Sequence, residues 1–521
     1  MSDDPRKIAF LVSTTAAARG IREHMGSAAY SYHFVVEALA PVLETLGVWR
    51  PVDHPESRLA FAAARAEAEG YRPVHLAVNP LQDVYLSPAV PNVLFPFWEF
   101  PDVPDRDFGH DTRQNWARVC RPASMVLTAC EFTAAAFRKA GVACPVAVVP
   151  VPVPPRAFAL PPWDPARVRT FTCRHEILGP AGAPAGPTAA DPARSDGAAS
   201  RAARSAFRRV APWLGPMTVQ RLSLMRRAVA GAAKERPGDL TFRLMRDGYR
   251  RHVRRWLSDD ALDAVTRLKR KALALAGREP AGPTDPPLPS GELTLGGGLV
   301  YTTVFNVGDP RKNYRDLLTA FLDAFRDRGD VTLVVKLVTN RRCEHHDAGL
   351  LRATYEALGV SHRCRVVVVT EFLTEEQMDA LFEVTTYYVN TSHAEGACLP
   401  LMRALAGGRP AVAPGHTAMA DYMDGAVGFF PGSHPEPTHW PHDPERRLET
   451  TRHRLVWSDL RDGLHARAGV ADGDRPRYDA MAAAARARMS FLASHDAVAG
   501  ALRAAMARLD DGPAGAFGWA S

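Results

Sequence analysis

Residues 299 to 321 read L-V-Y-T-T-V-F-N-V-G-D-P-R-K-N-Y-R-D-L-L-T-A-F. An apolar, β-branched run ends in a Gly-Asp-Pro turn, and apolar residues at helical spacing follow from Tyr314. The alternation continues along the chain. V-T-L-V-V-K-L-V (331 to 338), R-V-V-V-V (365 to 369), T-Y-Y-V-N-T (386 to 391) and P-A-V-A (410 to 413) read as strands, with helices expected at Gly349 to Leu358, Glu375 to Phe382 and Leu399 to Ala406. Near-continuous apolar strands separated by helices imply a parallel sheet covered on both faces. Residues 291 to 480 are therefore expected to form a doubly wound, Rossmann-like domain.

The N-terminal part repeats the pattern. K-I-A-F-L-V (7 to 12) is a first strand, followed by a loop reaching Gly26 and a helix from Ala28 to Leu46. Strands are expected at V-H-L-A-V (74 to 78), V-L-F-P-F (93 to 97), M-V-L-T-A (125 to 129) and V-A-V-V-P-V (146 to 151), with a helix from Thr133 to Ala140. This gives a second Rossmann-like domain over residues 1 to 160. Residues 161 to 290 read as a linker and insertion, because a Pro/Gly/Ala/Ser-rich run from Gly179 to Ser200 leads into a helix-compatible block from Arg201 to Ala276. Residues 481 to 521 are a bridging helix and tail, the helical pattern running from Tyr478 to Leu509. The expected fold class is thus α/β, with two doubly wound domains facing a cleft and a basic helical insertion between them.

The chain of 521 residues, 46% hydrophobic and 23% charged, is long enough for two or three cores. The N-terminus has the wrong charge order for a secretory signal, and no apolar stretch approaches the ~20 residues that span a bilayer. Seven scattered cysteines without a C-x-x-C pair argue against a disulfide framework or a zinc site, so a cytoplasmic location is expected. The net charge of +7 is not spread evenly: Arg201 to Lys271 holds 19 Lys and Arg against 6 Asp and Glu. Phe207, Trp213, Phe242, Tyr249 and Trp256 interleave with those charges. Two readings fit that block, a solvated Arg-rich helical face or a peripheral contact with an anionic membrane, and neither requires nucleic acid.

Two loops carry the chemistry. In open α/β sheets ligands sit at the carboxyl ends of the strands, where helix N-termini favour anions. Arg311, Lys312 and Asn313 stand at the mouth of a helix, where cations repel the helix dipole unless an anion sits between them. A diphosphate or a solvated basic turn would each explain them. The second loop, N-T-S-H-A-E-G-A-C-L (390 to 399), sets Glu395 at the end of a strand. A carboxylate there accepts hydrogen bonds from sugar hydroxyls or caps the following helix, and Gly396 allows backbone to approach a ligand. In the first domain, F-P-F-W-E-F-P-D-V-P (95 to 104) sets an aromatic ring, Trp98, beside a carboxylate, Glu99, as a ligand-binding loop would. A Pro-rich structural loop explains it equally well. Nearby, His110 and Asp111 form a literal His-Asp pair, and the polar stretch D-R-D-F-G-H-D-T-R around them fits an exposed surface equally.

Three motifs in order now support a resemblance. H-A-E-G-A-C-L-P-L-M-R-A-L-A-G-G-R-P-A-V-A-P (393 to 414) resembles the donor-site motif of retaining family-4 (group 1) glycosyltransferases of the GT-B fold. N-V-G-D-P-R-K-N-Y-R-D-L-L-T-A-F (306 to 321) is similar to their phosphate loop, and E-F-L-T-E-E-Q-M-D-A-L-F (371 to 382) to the segment beside the nucleotide base, which includes Phe372. The likeness covers residues 299 to 425 well; over the first domain it rests on strand order, a glycine at 26 and L-T-A-C-E-F-T-A-A-A-F before the last strand. It implies that Lys312 holds the donor diphosphate, that Glu395 contacts donor sugar hydroxyls, that Gly396, Ala397, Cys398 and Leu399 line sugar and phosphate, and that Gly26 lies on the acceptor side. The loop 95 to 104 takes roughly the place of the relatives' His-Asp pair in the cleft, which makes Glu99 the acceptor-orienting or proton-accepting candidate and Trp98 a platform for a sugar face.

Two positions depart from the family. Arg403 stands where relatives carry a second Glu that binds the ribose, and Val307 stands where they carry an Arg, leaving Arg311 as the substitute. Arg403 is expected to donate to ribose oxygens, to meet an additional phosphate or a different donor group, or to pair with a carboxylate such as Glu395. The resemblance implies a glycosyltransferase using a nucleotide-sugar donor, without metal or other cofactor, and a saccharide, lipid-linked or small-molecule acceptor. A phosphorylase or epimerase on the same fold, or a homologue with a degraded donor site, is the alternative.

Overall fold

The computed structural model describes residues 7–14, 30–107, 111–179, 288–340, 343–440, 443, 446 and 448–510. Contacts divide the chain into one unit of 1–182 with 287–521 and another of 183–286. The expected linker run beyond Gly179, the basic block, Gly26 and His110 lie outside the described residues.

The first sheet is built from β1 (Ile8–Ser13), β2 (Gly47–Pro51), β3 (Arg72–Ala77), β4 (Asn92–Leu94), β5 (Met125–Thr128) and β6 (Val146–Val148), in the order β2-β1-β3-β4-β5-β6. All of its pairings are parallel. One face is covered by the helix Tyr30–Leu46 and by a helix from the far end of the chain, His495–Asp510, whose Val498, Leu502 and Met506 join Phe10, Val35 and Leu39. β2 and the helix Pro55–Ala68 have no counterpart in the sequence reading. Gly47 and Pro51 bracket β2 and look like breakers, yet Gly47 is there for room: a Cβ would stand 1.9 Å from the Ile8 carbonyl oxygen of the paired strand.

The second sheet contains β7 (Val168–Leu178), β8 (Ser290–Gly296), β9 (Leu299–Phe305), β10 (Val331–Leu337), β11 (Arg365–Val369), β12 (Tyr387–Val389), β13 (Ala411–Val412) and β14 (Gly428–Phe429). Its order is β14-β13-β12-β9-β10-β11-β7-β8. β9 to β14 pair in parallel, as the alternation requires, and burying both sheet faces explains their unbroken Val/Leu/Tyr character. β7 and β8 are an antiparallel edge, with β7 paired antiparallel to β11. Residues 168 to 178, read as linker, therefore belong to the second sheet. Their half-polar, alternating pattern is that of an edge strand, which a search for apolar runs passes over.

The expected α/β class is met in two doubly wound, mainly parallel sheets, each with helices on its faces. The helical stretch from Tyr478 divides at Ser494. Helix Arg475–Ala493 packs Ala485, Met489 and Ala493 against Leu401 and Leu405 of the second domain, and the next helix crosses to the first. A further hairpin, β15 (Ser433–His439) with β16 (Glu449–Leu455), leads to Trp440, which packs among Trp98, Trp116 and Phe137 of the first domain.

Candidate functional site

The site forms where the carboxyl ends of the two sheets meet. After β9 the chain turns at Asp309, whose Oδ1 accepts from the Arg311 backbone N–H (3.0 Å) and caps the short helix Pro310–Lys312. The same carboxylate takes the Arg311 side chain in two bonds, Nε to Oδ1 (3.0 Å) and Nη2 to Oδ2 (2.6 Å). Arg311 Nη1 reaches the other domain and pairs with Glu99. Asn313 then adopts a left-handed conformation (φ 48°), which reverses the chain into the helix Tyr314–Ala324.

After β12 the chain enters the second loop. Glu395 is buried, and its Oε1 is held by Lys312 Nζ (2.6 Å), Ser392 Oγ (2.6 Å) and Asn390 Nδ2 (3.4 Å). Its backbone is fixed as well, N–H donating to Thr417 Oγ1 (3.1 Å) and C=O accepting from the Ala418 N–H (3.2 Å). Cys398 is left-handed (φ 64°) and opens the helix Leu399–Ala406. Leu399 and Pro400 begin that helix, so the Leu399 N–H has no acceptor within it and is available to an anion. Gly396 lies against the first domain: a Cβ there would meet Phe97 Cβ and the Trp98 backbone at 3.5 Å.

Burial and charge oppose each other at every ionisable group here. Burial raises the Glu395 carboxyl, but Lys312, Arg311 and the hydrogen bonds outweigh it and hold the group below its ordinary value. Asp309 is held low in the same way, chiefly by Arg311. Burial lowers Lys312, but Glu395 more than compensates and the ammonium is stabilised. Glu99 is the exception: burial raises it, Arg311 pulls it down, and Asp309 and Glu395 push it up again, leaving it above the usual carboxylate range.

The loops therefore bring together Arg311, Lys312, Glu395, Gly396, Cys398, Leu399 and Glu99. Ala397 is buried and Phe372 half-buried in the loop after β11. Two expectations are corrected. Trp98 is no sugar platform: it is 2% exposed, its indole N–H donates to the Asp102 carbonyl (3.0 Å), and its ring packs on Trp116 and Trp440. Arg403 does not pair with Glu395. It binds Asp379 (2.5 Å) and Glu375 (2.9 Å) on the helix Glu375–Val384. The i, i+4 spacing of those two acids on one helix face was the sequence signal for a cation opposite. Asp309, Asn390, Ser392 and Thr417 are site residues that the sequence reading missed; small polar residues flanking a glycine-rich turn carry no distinctive pattern. Asp111 caps the turn Thr112–Gln114 and pairs with Arg113, a surface role.

One other constellation has the composition of a nucleophilic triad. Ser13 Oγ lies 2.8 Å from His75 Nε2, and His75 Nδ1 lies 3.0 Å from Asn92 Oδ1. All three are buried, and the Asn92 amide is satisfied by the Ser87 and Val90 carbonyls. The network ties β1, β3 and β4 together, and its burial among the described residues makes it a structural bridge between strands.

No family model and no curated protein matches the chain. Solved structures similar to it include HepE from Anabaena in complex with UDP and glucose, at 11% identity over 96% of this chain and 100% of that one, with a TM-score of 0.44. Sucrose-phosphate synthase from Thermosynechococcus elongatus is similar at 11% identity, 97% and 100% coverage and a TM-score of 0.48. A glycosyltransferase from Rickettsia africae stands at 8% identity, 97% and 98% coverage and 0.46.

Proposed function

We propose that the protein is a glycosyltransferase that moves a sugar from a nucleotide-sugar donor to an acceptor hydroxyl with retention of configuration. One observation carries the reading: Lys312 and Glu395, 2.6 Å apart, set a cation beside a carboxylate at a helix N-terminus, opposite Glu99 of the other domain. A nucleoside diphosphate sugar presents those two complements in that order, anionic diphosphate and then hydroxyls. In the reaction the bond between the sugar anomeric carbon and the diphosphate oxygen breaks. Charge grows on that oxygen, where Lys312, Arg311 and the Leu399 N–H stabilise it. The acceptor oxygen bonds to the same face of the sugar, and its proton passes to the departing diphosphate.

Glu395 accepts donor hydroxyls with the oxygen that Lys312 does not occupy, and Glu99 orients the acceptor hydroxyl. The acceptor is a saccharide, a lipid-linked glycan or a small molecule. In the lipid-linked case the basic block of residues 201 to 276 supplies the attraction to an anionic surface. No described helix is long and apolar enough to cross a membrane. Incubating the protein with a panel of nucleotide sugars and acceptors, and following nucleoside diphosphate release together with product mass, tests the reading. Phosphorolysis or epimerisation without transfer would replace it.

A further inference from the structure

Among the described residues, three carboxylates, Asp309, Glu395 and Glu99, face two cations, Arg311 and Lys312, in the buried centre of the site. A diphosphate entering that arrangement meets a surplus of negative charge, so one carboxylate must give up its cation. The structure indicates which. Asp309 belongs to the same turn as Arg311 and holds it by three bonds, and Glu395 is fixed by three side-chain donors and by its own backbone. Glu99 comes from the other domain, and among the described residues its carboxylate is held by Arg311 alone. Arg311 Nη1 can therefore leave Glu99 while Nε and Nη2 stay on Asp309, without unmaking a turn.

On the reading of the site as a nucleotide-sugar site, we propose that Arg311 is a shared cation, exchanged between Glu99 and the donor diphosphate, so that donor binding frees Glu99 for the acceptor hydroxyl. A buried carboxylate that loses its guanidinium needs another donor, and the acceptor hydroxyl is one. Binding is then ordered, donor before acceptor, and the empty site keeps Glu99 occupied. Burial, which already holds the Glu99 carboxyl high, makes the freed group a better hydrogen-bond acceptor than an ordinary surface carboxylate.

Calorimetry with inorganic pyrophosphate and with uridine, guanosine and adenosine diphosphates tests this on the full chain and on Glu99→Gln. Removing the competing charge should tighten pyrophosphate binding about tenfold, with turnover falling at the same time. A merely structural Glu99 would lose both together. Glu99→Asp, which keeps the charge but shortens its reach, should fall between the two and guards against a folding defect in the amide variant. Pyrophosphate affinity that is unchanged or weaker in both variants, or absent throughout, overturns the exchange. Tighter pyrophosphate binding without affinity for any nucleoside diphosphate would uphold the exchange and remove the nucleotide-sugar reading instead.

Discussion

Arg403 Nη2 lies 2.5 Å from Asp379 Oδ1, and this bond joins the helix that opens at the candidate site to the helix Glu375–Val384. Arg156, at the crossing between the domains, holds the other Asp379 oxygen (2.6 Å), so one carboxylate links three segments. The Arg403 guanidinium also lies over the Phe382 ring, 5.8 Å from its centroid.

Arg403→Glu should therefore be a stability variant rather than a gain in nucleotide binding. It sets a third carboxylate beside Glu375 and Asp379 in a largely buried place, a change expected to cost about 3–5 kcal/mol. Urea unfolding checks the size. Pairing it with Asp379→Arg should recover part of the loss, whereas tighter nucleoside diphosphate binding in the single variant would mean that the position faces the ribose after all.

Lys312→Met leaves the Glu395 carboxylate buried without its cation, and should destabilise the fold by about 3 kcal/mol. Adding Glu395→Gln removes the stranded charge and should restore much of that loss, while binding of diphosphates stays weak in both. Equal stability of the single and double variants, compared by chemical denaturation, would show that the pair is not coupled.

The pH dependence has a definite sign. The Glu395 carboxyl is held below its unfolded value of ~4.3, so its contribution is present above that pH and is lost as pH falls through the folded value. Thermal melts of the wild type and Glu395→Gln should thus differ at neutral pH and converge on acidification below ~4. Glu99, held high, runs the other way: its burial favours the fold at low pH, and that contribution is lost as pH rises through its folded value. A wild-type advantage that grows on acidification would contradict the Glu395 assignment.

The second sheet was legible because its central strands are buried on both faces, and V-T-L-V-V-K-L-V or R-V-V-V-V leaves few alternatives. β7 was not, since an edge strand has one wet face and its partner β8 lies more than a hundred residues away in the chain. Within the site, Lys312 and Glu395 were legible as charges at strand ends. Their mutual pairing was not, because sequence spacing says nothing about which of two loops at one sheet edge leans on the other. Trp98 failed for a related reason: an aromatic residue in a Pro-rich loop fits a sugar platform or a core equally, and its long-range partners Trp116 and Trp440, which sequence spacing does not reveal, decide for the core.

Trp440→Ala tests that hairpin. Trp440 is 6% exposed and 5.4 Å from the Trp98 ring, and Thr450 Oγ1 adds a bond to Asp102 (3.1 Å). Truncation should cost about 3–5 kcal/mol and flatten the near-ultraviolet circular dichroism of the tryptophan cluster. Retention of both stability and signal would mean that the hairpin does not hold the first domain.

The most direct measurement is the affinity of nucleoside diphosphates against the matching nucleosides, by calorimetry, for the wild type and Lys312→Ala. If the crevice between Lys312 and Glu395 receives a donor diphosphate, at least one diphosphate binds well, its nucleoside binds far more weakly, and Lys312→Ala erases most of the difference. Wild-type protein that binds no diphosphate, or that binds diphosphate and nucleoside alike with or without Lys312, would contradict a nucleotide-sugar site at this crevice.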